Sequence, residues 1–154
     1  MVSKEVEKLL LKVQKPGRYV GGELNEVIKD KKKVDCRFAF CFPDTYEVGM
    51  SHLGMKILYS LMNAVPYIWC ERVFAPWVDM EEEMIKHNIP LYALESGDPV
   101  SDFDFIGFTL QYELSFTNML NMLRLSGVPI KSCDRKELKN IVADCRFCRY
   151  FLHR

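Results

Sequence analysis

The sequence lacks a net charge. Lysine plus arginine number 21 and aspartate plus glutamate number 21, so the formal charge is zero. A protein held to nucleic acid through phosphate contacts carries a cationic surplus, and a binder of anionic lipid needs clustered basic residues. Neither a nucleic-acid nor a membrane partner is therefore expected. No apolar run approaches the roughly 20 residues that span a bilayer. The opening MVSKEVEKLLLKVQK mixes charges into its apolar positions, unlike a secretory signal. Internal repeats and low-complexity tracts are also missing. These features predict a cytoplasmic protein, in which the six cysteines at 36, 41, 70, 133, 145 and 148 are thiols rather than disulfides. Cys36 and Cys41 lie in an apolar run and read as small hydrophobes.

What is present is enough chain, 154 residues, for one domain with a core. Residues 4–13 read as a short amphipathic helix, with Val6, Leu9, Leu10 and Val13 on one face. KPGRYVGGELN then breaks the pattern, and KDKKK at 29–33 reads as a solvated charge run. Residues 1–33 are thus an N-terminal extension. From Val34 the pattern alternates. Strands are predicted at 34–42, 68–74, 91–96 and 103–110, and helices at 50–62, from Pro76 to about Asn88, and at 114–125 with Gly127 as C-cap. Alternation of this kind predicts an α/β, Rossmann-like (flavodoxin-like) parallel sheet with helices on both faces. Its boundaries are 34–143, followed by a divergent tail at 144–154. The connection from Ser96 to Phe103 is short for a parallel crossover, which usually needs a dozen residues; one helical turn at 99–103 is the expected device. The aromatic residues and methionines are assigned mainly to the core.

In open α/β sheets ligands sit outside the carboxyl ends of the strands. The loop after the first strand reads PDTYEVGMSHLG. A phosphate cradle needs glycine- or hydroxyl-rich backbone at a helix N-terminus. Asp44 and Glu47 stand there instead, repelling phosphate and suited to capping the helix. No nucleophile accompanies the two carboxylates, so no catalytic residue is assigned. Thr109, Gln111, Tyr112 and Glu113 follow a later strand at the same edge. They form either a cofactor- or domain-facing rim or, in Thr109 and Glu113, helix caps.

Asp44-Thr-Tyr46-Glu-Val-Gly49 has the spacing D-x-Y-x-x-G. It resembles the cobalamin-binding motif D-x-H-x-x-G, with tyrosine where histidine would be. A neutral imidazole suits cobalt, whereas a phenol with pKa about 10 is a poor ligand. SHLGMKILYSLMN resembles the first helix of the cobalamin-binding domain found at the N-terminus of many radical S-adenosylmethionine (SAM) enzymes, and FDFIGFTLQYELSFTNMLNMLRLSGVPI resembles that domain's fourth strand and following helix. Together with PGRYVGGELN, ERVFAPWVDME and LESGDPVSDFD, the likeness covers about residues 15–143 and points to one subgroup of those enzymes.

The resemblance implies a cobalamin-binding-like domain with Asp44, Tyr46, Gly49, Ser51, His52, Gly54, Thr109, Gln111, Tyr112 and Glu113 around the cofactor. Cobalamin would be held in a His-off form, with His52 either a substitute ligand or a cap. It also implies a radical SAM barrel as partner domain, where three cysteines in C-x-x-x-C-x-x-C hold a four-iron, four-sulfur cluster that binds S-adenosylmethionine. Two departures follow. The fifth strand, starting at NIVA (140–143), is expected to be incomplete, and the barrel is expected to be cut away. Cys145-Arg-Phe-Cys148 lacks the first cysteine of the cluster motif, because position 141 is isoleucine. A zinc site from Cys133, Cys145, Cys148 and His153 is disfavoured by its spacing, so no metal ligand is assigned. The alternatives are a non-catalytic interaction domain that has lost its cofactor, or a flavodoxin-like electron carrier.

Overall fold

CRFAFCF has apolar and aromatic residues at successive positions, the pattern of a strand covered on both faces. In the computed structural model, which describes residues 4–135 and 141–144, this segment is the interior strand β1 (Cys36–Phe42). IWCERVF forms β2 (Ile68–Phe74), FIGF forms β3 (Phe105–Phe108) and IVAD forms β4 (Ile141–Asp144). The sheet order is β2-β1-β3-β4, and every pairing is parallel. Five α-helices accompany it among the described residues: α1 (Lys4–Leu10), α2 (Tyr46–Ser51), α3 (Leu53–Ala64), α4 (Val78–His87) and α5 (Ser115–Leu125). None is long and apolar enough to cross a membrane.

Alternate side chains of a strand point to opposite faces, and β1 divides the core in this way. Phe40 and Phe42 pack with Met55 and Tyr59 of α3. Ala39 and Cys41, with Ile106 and Phe108 of β3, pack with Met80 and Met84 of α4 and with Met122 and Leu123 of α5. Helices therefore cover both faces, as expected. Burial pushes the Cys41 thiol well above its ordinary range and the Cys36 thiol up to about 11; Cys41 is a buried packing residue, and Cys36 is half-buried at the start of the strand. Val6, Leu9, Val13 and Tyr19 of the N-terminal extension belong to the α4–α5 core.

Three expectations are corrected. LYALES is no strand of the sheet. Leu91–Glu95 is buried throughout, yet its one ladder contact is an isolated antiparallel bridge between Tyr92 and Pro99. The segment lies along β2, where the Leu94 N–H donates to the Arg72 carbonyl at 2.9 Å and the Arg72 N–H donates to the Glu95 carboxylate at 2.7 Å. A side-chain carboxylate thus replaces a neighbouring strand's carbonyl and ends the ladder. The β2–β3 crossover consequently spans Ala75 to Asp104, with a 3₁₀ turn at Val100–Asp102, and the short connection is no obstacle. The helix predicted at 50–62 is two helices broken at His52, whose backbone is extended (φ −77°, ψ 110°). The first helix stops at Leu10, three residues short of Val13.

The segment predicted to begin a fifth strand is β4, paired along β3 from Phe105↔Ile141 to Phe108↔Asp144. The tail beyond Asp144, including Cys145, Cys148 and His153, lies outside the described residues.

Candidate functional site

From β1 the chain passes to β2 on one side and then returns to β3 on the other. The strand order reverses between β1 and β3, and the loops after those strands flank the usual ligand crevice. Every sequence-predicted site residue lies on these loops or on the helices that follow them.

Asp44 is fixed from several directions. Its Oδ1 accepts from the Thr45 N–H at 2.7 Å, and its Oδ2 accepts from the Tyr112 hydroxyl at 3.2 Å. Its carbonyl accepts from the Ala75 N–H at 3.0 Å, just past β2, and the preceding Pro43 carbonyl accepts from Asn118 of α5 at 3.0 Å. The Asp44 charge raises the pKa of Tyr112. Asp44 and Tyr112 therefore bridge the two loops across the switch point.

Tyr46 faces elsewhere. Its hydroxyl donates to Glu23 Oε1 at 3.0 Å, and its ring stands edge-on to Phe74. Burial, then Glu23, raises its pKa. Glu23 Oε2 in turn accepts from Arg72 at 3.0 Å. The Arg72 guanidinium also donates to Glu95 at 2.6 Å and lies 4.6 Å from the Tyr59 ring centroid. Sequence reasoning missed this network of Glu23, Arg72 and Glu95. Its signal was the charged pair inside the apolar strand IWCERVF, since charged residues are almost never fully buried unless paired.

The motif glycine has a packing role. A Cβ on Gly49 would stand 2.1 Å from Phe74 Cε1. Ser51 is exposed and donates to the Val48 carbonyl at 2.8 Å. His52 is the N-cap of α3, its Nδ1 accepting from the Met55 N–H at 3.1 Å. A Cβ on Gly54 would stand 3.0 Å from His52 Cε1, so glycine there makes room for the capping ring.

The expected carboxylate caps do not form. The N-cap of α2 is Thr45, without a side-chain bond, while Glu47 turns outward to Arg18 (2.8 Å) and Lys15 (3.3 Å). Arg18 holds the Glu47 carboxyl below its usual range. The N-cap of α5 is Leu114, also without a side-chain bond, so Thr109 and Glu113 do not cap that helix. Thr109 is buried, continues the ladder through its N–H to the Cys41 carbonyl (3.1 Å), and its Oγ1 has no hydrogen-bond partner among the described residues. Gln111, Tyr112 and Glu113 are exposed.

Neither Asp44 nor Tyr112 lines either of two cavities among the described residues. One, of about 20 Å³, is water-sized and enclosed by Tyr19, Tyr46, Phe74, Trp77 and Tyr92. The other is an open groove of about 450 Å³ between the C-terminal ends of α4 and α5, lined by Met84, Ile85, Ile89 and Leu125. Among the described residues no three His, Cys, Asp or Glu side chains gather as a metal site. The Tyr46 hydroxyl donates to Glu23, and the His52 Nδ1 accepts the Met55 N–H, so both groups have partners within the chain.

No curated protein and no solved structure matches the chain. Residues 54–150 match the family model described as radical SAM proteins, N-terminal. That span runs from the start of α3 through β3, α5 and β4, and covers more than half of the 154 residues. The chain belongs to the N-terminal domain family of radical SAM proteins.

Proposed function

We propose that this chain is a non-catalytic docking domain that presents its β1/β3 rim to the barrel of a radical SAM protein in the cytoplasm. In this reading the iron–sulfur cluster and S-adenosylmethionine reside in the barrel, and this chain supplies no ligand to cobalt. The observation that carries it is the hydrogen bond from Tyr112 to Asp44, which spans the position a crevice ligand would enter. The rim around it combines exposed apolar side chains, Leu114 at 75% and Val48 at 47%, with the Asp44 and Glu113 carboxylates. That chemistry suits a protein surface with apolar and basic groups.

A second reading, His-off cobalamin in the crevice, is favoured by the buried Thr109 hydroxyl without a partner, because such groups are rare. Incubation with hydroxocobalamin, desalting and a visible spectrum separate the two. The docking reading expects no retained corrinoid bands. Their retention overturns it in favour of cobalamin. A purified protein carrying yellow flavin would instead support the electron-carrier alternative. Docking itself is tested by calorimetry against a separately expressed radical SAM barrel from the same source. Binding that Leu114→Asp abolishes supports the proposal, and absence of binding by the unaltered chain sinks it.

A further inference from the structure

The N-terminal extension reaches the candidate loop at two successive residues. Glu47 is held by Lys15 at 3.3 Å and by Arg18 at 2.8 Å, and Tyr46 is held by Glu23 at 3.0 Å. Between these contacts the extension is anchored on the body of the fold. Tyr19 is buried, its hydroxyl accepts from the Trp77 N–H at 3.1 Å, and its carbonyl accepts from the Tyr92 hydroxyl at 3.1 Å. Gly21 has φ +68°, and a Cβ there would stand 2.6 Å from the Leu94 carbonyl oxygen. No other residue type fits this close approach without strain.

The element held by these contacts has little order of its own. α2 has six residues and no side-chain cap at its N-terminus, and its C-cap, His52, spends its side chain on α3. A helix this short is far below the length that is stable in isolation. Its first two residues are Tyr46 and Glu47, which the extension grips.

We infer that residues 15–26 are a clasp that fixes α2 and withholds the Tyr46 hydroxyl and the Glu47 carboxylate from the rim. The clasp and α2 then form one cooperative unit, and opening the first releases the second. The inference stands on contacts within the chain and is independent of what docks at the rim. Glu23 is its central joint, because one carboxylate serves both Tyr46 and Arg72.

Native-state hydrogen exchange of the whole chain through a series of sub-denaturing urea concentrations tests it. The Tyr19 and Glu26 amides, bonded to the Pro16 and Glu23 carbonyls, report the clasp; the Gly49 and His52 amides, bonded to the Thr45 and Gly49 carbonyls, report α2. In the unaltered protein all four are expected to open with one urea dependence. Separate dependences overturn the inference, with no variant required. Glu23→Gln weakens the joint directly. Gly21→Ala disturbs the clasp at a point that touches neither Tyr46 nor Glu47. Each is expected to speed Gly49 and His52 exchange by about tenfold, the scale of one charge-assisted hydrogen bond, and to leave Phe40 in β1 unchanged. A folded variant in which Tyr19 and Glu26 exchange freely while Gly49 and His52 keep their original rates also overturns it.

Discussion

The Tyr112 hydroxyl donates to Asp44 Oδ2 at 3.2 Å, joining the loop after β3 to the loop after β1 where the strand order reverses. The two residues are 68 positions apart and meet because β1 and β3 are paired neighbours. The negative charge of Asp44 opposes formation of a phenolate beside it, which raises the Tyr112 pKa. Ultraviolet difference titration of the tyrosines should show one transition moving toward the ordinary range in Asp44→Asn and disappearing in Tyr112→Phe. An unchanged titration in Asp44→Asn would disprove the contact.

Gly49→Ala should destabilise the protein by about 1–3 kcal/mol, as overpacking does, because the new methyl would overlap the Phe74 ring. Urea denaturation measures the loss. Combining it with Phe74→Leu should cost less than the sum of the two single changes, since removing the ring gives the methyl room. Strict additivity would mean that Gly49 serves something other than the approach to Phe74.

His52→Ala should cost about 0.5–2 kcal/mol, the usual range for a lost N-cap. The Met55 N–H loses its acceptor at the start of α3, a helix that carries the buried Met55 and Tyr59. His52→Asn keeps a capping oxygen and should recover most of the stability. Equal loss in both variants would assign His52 to packing on Phe42, whose ring centroid is 5.3 Å away.

Glu95 gives the stability a pH dependence. Burial pushes its carboxyl up to about 7, against the opposing pull of Arg72. The folded state therefore holds this proton more tightly than the unfolded chain, whose carboxyl has the ordinary value of 4.5. Its stabilising contribution is full below that value and is lost as pH rises through 7. Urea midpoints measured from about pH 5 to 8 should decline through this window, and Glu95→Gln should flatten the decline. A decline that is the same in Glu95→Gln as in the unaltered protein would show the carboxyl to be ionised throughout this window. Glu95→Ala should cost about 3–5 kcal/mol, because it leaves the buried Arg72 guanidinium without its shortest partner.

The main elements were legible wherever one local pattern dominated. CRFAFCF, IWCERVF and the FIGF of FDFIGFTL became strands because runs rich in apolar and aromatic residues suit a sheet covered on both faces. LYALES carried the same local pattern and became something else. Its Glu95 side chain occupies the Arg72 N–H that a further strand would need. His52 looked like one more residue in an amphipathic helix, and its N-cap role is set by a bond to Met55 that periodicity does not encode. At the candidate loop, the location at the sheet's carboxyl edge could be read from D-x-Y-x-x-G and the strand before it. The direction of each side chain could not. Tyr46 turns to Glu23 in the extension, and Gly49 answers the Phe74 ring.

The sequence by itself determined an α/β chain with strands β1 to β3, the helices between them, and a loop rich in carboxylates at the edge where such folds bind. Those are consequences of local periodicity and composition, which each segment carries alone. Only the tertiary structure decided that Asp44 bonds Tyr112, that the extension grips Tyr46 and Glu47, and that Glu23, Arg72 and Glu95 share one partly buried network. These depend on strand order and on which distant groups must neutralise one another out of water, and no single stretch of chain contains that information.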